Sequence, residues 1–371
     1  MKIPICKPFF DEKEPEAVKK VVESGWIIQG PKTEEFEKQI STYTGSKFAI
    51  ATSNCTTALH LALLAANIKP GDEVICPSFT FIATPNSIEF TSAKPVFTDI
   101  NKDTYNIDEN LIEENITNKT KAIMPVDQVG LSCDYDKILK IAKDYNLKII
   151  EDAAPALGAR YKDKMIGSIS DLTCFSFHPR KSITTAEGGM ITTNNLEYAE
   201  KVKMLRSFGT KVSPLDRLKG LAHEEYPEIG YNYRITDIQS AIGIEQMKKL
   251  PEILKRRTDL GKVYNEELSK IKDVQIPYVP NYTKHTYQTY VIKILNQSRD
   301  KIMKKLLEKE ISVKPGVEIC HTQPCYIKKY GKISLPITEE ANSSTILIPL
   351  YPSMTKEEQD YVIKNLKEAM N

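Results

Sequence analysis

The chain has 371 residues, of which 41% are apolar and 27% charged, and its net charge is +2. That length suits two lobes better than a single core. The near balance of charge argues against nucleic acid as a partner, because a phosphate-binding surface shows as basic excess. No run approaches the ~18 apolar residues of a membrane span, so no membrane partner is expected. MKIPICKPFFDEKEPEAV meets acidic residues without an apolar stretch, so no signal peptide is expected and a cytoplasmic location is.

Between about residue 47 and residue 195, strand-like runs alternate with helical ones. The strands read KFAIAT (47–52), EVICPS (73–78), KPVFTDI (94–100), KAIMPV (121–126), LKIIEDA (147–153), LTCFSF (172–177) and GGMITTN (188–194). Several are continuously apolar rather than alternating, which suits a sheet covered on both faces. The helix candidate 56–66 is apolar on nearly every side and should be buried, with His60 as a core histidine. The candidate 135–145 follows Asp134, a plausible N-cap, and puts Ile138, Leu139 and Ala142 on one face. Together these predict an α/β lobe with a mostly parallel sheet.

After Asp237 a long amphipathic helix is expected, with a break near Pro251 and a lobe boundary near residue 250. The large domain is then 1–250 and the small one 251–371. The small domain holds a strand-like HTYQTYVIKIL (285–295) and a closing helix from Thr355, where Thr355 and Glu358 have capping-box spacing. Seven cysteines are scattered without Cys-x-x-Cys spacing, and several sit in apolar runs where a reduced cysteine acts as a small hydrophobe. The Cys320-His321 pair with Cys325 lacks a fourth ligand nearby in sequence, so no metal is expected.

Three places bear on chemistry. In ATSNCTTALHLAL a strand passes through Ser, Asn and Thr directly into a helix, aiming free N–H groups and hydroxyls at one point. Thr56 and Thr57 are the natural phosphate ligands there, and simple capping of the helix by a hydroxyl is the alternative. Asp152 ends an apolar strand, where ligands bind in open α/β sheets. Lys181 sits in a turn between TCFSF and ITTAEGGMIT, where lost hydration lowers an amine's pKa and makes it a nucleophile. An acid and a lysine so placed are the two handles of pyridoxal phosphate chemistry: Schiff-base lysine and partner of the pyridine nitrogen. No Walker A sequence and no GxGxxG competes.

On these segments, with CPSFTFIATPNSI, EDAAPALGARY, CFSFHPRKSITTAEGGM and GYNYRITDIQSAIGIEQMKKL, the chain resembles the DegT/DnrJ/EryC1/StrS family of nucleotide-sugar aminotransferases over nearly its whole length. The resemblance implies an aspartate-aminotransferase-like type I fold, with a smaller C-terminal α+β domain, and pyridoxal 5'-phosphate as cofactor. The cofactor alternates with its pyridoxamine form. Lys181 matches the Schiff-base lysine, Asp152 the acid at the ring nitrogen, and Phe81 the aromatic that stacks on the ring. Thr56, Thr57 and Ser176 match phosphate contacts. Asn232 matches a residue reaching the neighbouring subunit's cofactor, which implies a homodimer with shared sites. L-glutamate is the implied donor and a nucleotide-linked keto-6-deoxy sugar the acceptor. The wording TTAEGG leans toward UDP-linked 4-keto substrates.

The chain departs from the family pattern at Pro155, where Gln or His is common, and at Asp127-Gln128, where a Val-His stretch is usual. Cys55 stands where glycine is frequent. His178, before a proline, is read as positioning the lysine turn, and Glu187 faces either the sugar or the turn. His285, His321 and Tyr326 are candidates to close over substrate. Two rival functions use the same scaffold. Pyridoxamine-dependent sugar dehydratases replace the lysine, often by histidine, so Lys181 argues against that reading. The other rival is a non-catalytic cofactor-binding regulator.

Overall fold

The computed structural model describes residues 1–212 and 225–371. Seven strands form the large sheet: β1 (Phe48–Thr52), β2 (Glu73–Pro77), β3 (Lys94–Thr98), β4 (Thr120–Ile123), β5 (Lys148–Asp152), β6 (Leu172–Ser176) and β7 (Gly189–Thr193). Their order is β1-β7-β6-β5-β4-β2-β3, and only β7 runs against its neighbours. Every residue of β2, β6 and β7 is buried. The continuous apolar runs thus arise because helices cover both faces.

On one face lie α1 (Lys13–Ser24), α2 (Pro31–Thr44), α5 (Tyr135–Asp144) and α7 (Asp237–Leu268); on the other lie α3 (Cys55–Ala65), α4 (Ala83–Phe90) and α6 (Leu196–Arg206). Helix α3 is buried nearly all round, including His60 at 4% exposure, and burial lowers that imidazole to about 4. His60 is thus a neutral core residue whose Nδ1 lies 3.3 Å from the Tyr233 hydroxyl. Asp237, first residue of α7, accepts the N–H groups of Gly30, Lys32 and Thr33 and so caps α2.

Three local expectations change. Helix α7 runs unbroken through Pro251, so residue 250 falls inside a helix. An interior proline costs about 3 kcal/mol, and the buried Leu250 and Ile253 beside it offset that at roughly 1.5–3 kcal/mol each. Asp134 precedes α5 but makes no side-chain cap. Instead its Oδ1 accepts the Tyr161 hydroxyl at 2.7 Å, and that hydroxyl accepts the Asp136 N–H at 3.1 Å, doing the cap's work. Leu139 is exposed, and the buried stripe of α5 is Tyr135, Ile138, Ile141 and Ala142.

A second sheet of four antiparallel strands pairs Val274–Gln275, Tyr290–Ile294, Thr345–Ile348 and Lys314–Pro315 in that order. Helices Arg299–Glu308 and Lys356–Met370 pack on it around a separate apolar core. The latter helix starts with the expected capping box between Thr355 and Glu358.

Candidate active site

The carboxyl ends of the parallel strands converge on one edge of the large sheet, and there a cavity of about 530 Å³ opens. Leu347 of the small sheet, with Gln288 and Thr289 just before its strand Tyr290–Ile294, closes it from the other side. This is the crevice outside the strand ends where open α/β sheets place ligands. Thr56, Phe81, Asp152, Ser176 and Lys181 all line it, although they come from five separate segments.

Asp152 is 5% exposed at the end of β5. Its Oδ2 accepts the Thr84 hydroxyl at 2.7 Å and its Oδ1 the Ala154 N–H at 3.1 Å. Burial pushes its carboxyl above the ordinary carboxylate range, while those two donors and the Lys181 ammonium push back. Burial likewise lowers the Lys181 amine, against the opposing pull of Asp152. Acid and amine therefore face one cavity with their proton affinities drawn toward each other, which is the arrangement proton transfer needs.

The turn that presents Lys181 is built by its neighbours. The Lys181 N–H donates to the His178 carbonyl at 2.8 Å, and the Arg180 N–H donates to His178 Nδ1 at 3.2 Å. The imidazole thus holds the turn, and burial lowers its pKa so that the ring accepts this bond in neutral form. From the small domain, the Gln288 amide donates to the Arg180 carbonyl at 2.6 Å. The Arg180 side chain is exposed, lines the cavity, and forms no ion pair among the described residues.

Phe81 is 58% exposed in the cavity wall, which rules out core packing as its role. Thr56, at the start of α3, also lines the cavity, but Thr57 does not. The N-cap is Asn54, whose Oδ1 accepts the Thr57 N–H at 2.9 Å, while the Thr57 hydroxyl donates to the Asn54 carbonyl at 2.8 Å. The Thr57 hydroxyl is thereby spent on a capping box, and the cavity sees the first turn of α3 through Asn54, Cys55 and Thr56. Gly189 makes this close approach possible: a Cβ there would lie 2.5 Å from the Asn54 carbonyl.

Asn232 is exposed, bridges Ser207 through backbone pairing, and lies outside the cavity lining. Of the departures from the family pattern, Cys55, Gln128 and Pro155 line the cavity, whereas Asp127 is fully buried behind it. Burial, with Asp152 nearby, raises the Cys55 thiol well above its ordinary value, so it is neutral at physiological pH. Glu187 lies at the rim, where its backbone carbonyl accepts the Thr185 hydroxyl.

His285, His321 and Tyr326 are not among the residues that line the cavity. His285 Nδ1 accepts the Tyr287 N–H, His321 Nδ1 lies 2.6 Å from the Ser78 hydroxyl, and Tyr326 donates to Asn86. Thr84, Gln288 and Thr289 escaped the sequence reading. For Thr84 the available signal was weak: a Thr80-x-x-x-Thr84 spacing that stacks two hydroxyls 2.8 Å apart.

Fold and cavity together define an α/β protein in which a lysine amine and a buried carboxyl face one cavity. Residues 8–367 match the model of the DegT/DnrJ/EryC1/StrS aminotransferase family, and the chain belongs to that family. It is similar to the uncharacterized protein MJ1066 of Methanocaldococcus jannaschii, at 44% identity over 100% of this chain and 98% of that one. It is 38% identical to the UDP-4-amino-4-deoxy-L-arabinose–oxoglutarate aminotransferase of Shewanella sediminis, over 99% and 98% of the two chains. Among solved structures it superposes on the PMP-form of Spr1654 from Streptococcus pneumoniae with a TM-score of 0.94, at 30% identity over 100% and 99%. The PLP-form of the same protein gives 0.93.

Proposed function

We propose that the chain uses pyridoxal 5'-phosphate to move an amino group from L-glutamate to the keto group of a nucleotide-linked sugar. The observation that carries this reading is Asp152 and Lys181 facing one cavity, beside an exposed aromatic ring and a helix N-terminus. The residues present fit the cofactor. Asp152 is a buried carboxylate held by two donors, suited to a protonated ring nitrogen. Phe81 offers its face, Thr56 and Ser176 offer hydroxyls for phosphate at the start of α3, and Lys181 offers the amine. The volume suits the cofactor together with part of a substrate.

When bound, the cofactor supplies an electron sink for the carbon that loses its proton. Asp152 keeps a positive charge on the ring nitrogen by staying ionised itself. Lys181, its amine lowered by burial, takes the α-proton of the amino donor and returns a proton to the acceptor carbon in the second half of the exchange. Arg180, an exposed guanidinium at the cavity with no ion pair among the described residues, meets the anionic part of the substrate, and Gln288 fixes its backbone.

The active form is a cytoplasmic homodimer in which Asn232 reaches the partner's cavity. Exposed apolar side chains support an interface near Asn232: Phe208 at 42%, whose N–H donates to the Tyr231 carbonyl, and Ile229 at 92%. Among the described residues no helix is long and apolar enough to cross a membrane.

The test is a panel of UDP-, GDP- and dTDP-linked 3-keto and 4-keto sugars with L-glutamate, scored for 2-oxoglutarate. The UDP-linked 4-keto sugars come first, since the Shewanella relative is named for a 4-amino UDP-sugar. Turnover with at least one member supports the assignment. If none reacts while glutamate alone still converts the bound cofactor, the acceptor class is wrong.

A further inference from the structure

Behind the cavity lie two acidic side chains that form no ion pair among the described residues. Asp127 and Glu151 are both 0% exposed. Asp127 Oδ1 accepts the Cys133 N–H at 2.8 Å and the Tyr135 hydroxyl at 3.0 Å, while Glu151 Oε2 accepts the Thr173 hydroxyl at 2.6 Å. Each carboxyl therefore has one satisfied oxygen. The others, Asp127 Oδ2 and Glu151 Oε1, are buried with no hydrogen-bond partner among the described residues, and the Glu151 carboxyl lies close enough to act on Asp127.

Two carboxylates in a dry interior cannot both be ionised, and a carboxyl has no proton to donate unless it is neutral. We propose that Asp127 and Glu151 share a single proton between these two oxygens, and that the resulting acid pair braces the cavity-lining turn Gln128–Gly130 and the backbone of Asp152.

The backbone shows what the brace holds. The Asp127 N–H donates to the Asp152 carbonyl at 3.1 Å, and the Asp152 N–H donates to the Pro125 carbonyl at 2.9 Å. In the same turn Val129 sits at φ 53°, a left-handed conformation unfavourable for a β-branched residue. Gln128 and Val129 line the cavity, the Gln128 amide donates to the Phe79 carbonyl, and the Val129 carbonyl accepts the Thr289 N–H from the small domain. A strained turn that joins the catalytic acid to the second domain needs a rigid anchor, and the buried acid pair supplies one.

The groups packed on the pair are Tyr135 from α5, Cys133 before it, and Thr173 from β6; Glu109 acts further out through Cys133. None is cationic. Burial and mutual repulsion hold the Asp127 carboxyl well above its ordinary range. The folded state thus keeps a proton that the unfolded chain releases near the ordinary carboxylate value. The stability tied to that proton is complete at low pH and declines as pH rises toward the raised value of the Asp127 carboxyl.

The comparator is the double amide Asp127→Asn/Glu151→Gln, which cannot titrate. Urea unfolding of the purified chain from pH 6 to 8 gives the ratio of folding constants, wild type over double amide. One retained proton predicts about a tenfold fall in that ratio per pH unit. A ratio that is flat with pH overturns the proposal. The infrared C=O stretch of a protonated carboxylic acid, on wild type labelled at aspartate and glutamate, decides the case even if the amide variants do not fold. The band is expected at pH 7, and its absence refutes the shared proton. In the single Asp127→Asn variant, a kcat/KM profile whose alkaline limb moves outward is expected; an unchanged limb removes the link from the pair to the cavity.

Discussion

Thr84 gives the sharpest test of how the site tunes its acid. Replacing it by valine keeps the shape and removes the hydroxyl that donates to Asp152 Oδ2 at 2.7 Å. A hydrogen bond to a buried charged group is worth about 1.5–3 kcal/mol, and one pKa unit is about 1.4 kcal/mol. The bond stabilises the ionised form of Asp152, whose pKa burial already raises. Its loss should therefore lift that pKa by roughly one to two units. Because the ionised form is the working one, the acid limb of the rate of 2-oxoglutarate release from glutamate should move to higher pH by the same amount. Thr84→Ser restores the donor and should restore the profile. An acid limb that stays in place in Thr84→Val, in a protein that still folds and binds cofactor, would refute the role given to this hydroxyl.

Phe81→Ala should leave urea stability within about 0.5 kcal/mol, since the ring is 58% exposed. It should also weaken cofactor affinity, measured by equilibrium dialysis, by up to about tenfold. Gly189→Ala places a methyl 2.5 Å from the Asn54 carbonyl, so α3 must shift. Destabilisation of about 1–3 kcal/mol is expected, together with weaker retention of phosphate-bearing cofactor than of pyridoxal. His285 is held neutral by burial, down to about 3. Its depressed value means stability is complete above the unfolded histidine value and is lost on acidification. The wild type should thus lose about 1.4 kcal/mol per pH unit below 6.5, relative to His285→Asn; parallel acid titrations of the two proteins would contradict this.

Much of the architecture was legible because burial on both faces of the sheet writes itself into the chain. The runs at 73–78, 172–177 and 188–194 are mostly apolar or small rather than alternating, and their strands are buried throughout. Asp152 and Lys181 stand out in the sequence because an acid at a strand end and a lysine between two buried runs are unusual, and the structure brings both to one cavity. The sequence does not distinguish the cavity-lining Thr56 from the capping Thr57, since a capping box and a phosphate cradle draw on the same residue types in the same turn. The caps on α5 and the path of α7 through Pro251 depended on tertiary partners, Tyr161 in one case and the core around Leu250 and Ile253 in the other. Thr84 and Gln288 act on Asp152 and on the lysine turn across 68 and 108 residues of chain, a distance no local pattern spans.

The central claim is that Lys181, facing Asp152, moves an amino group from glutamate to a sugar. It is tested most directly by incubating the cofactor-loaded protein with L-glutamate labelled at nitrogen with ¹⁵N and a keto-sugar nucleotide, then weighing the sugar product. The label should appear in the amino sugar made by the wild type and be absent with Lys181→Ala, although that variant folds and holds the cofactor. Label in the sugar at an undiminished rate from Lys181→Ala would contradict the account, as would unlabelled sugar product from the wild type.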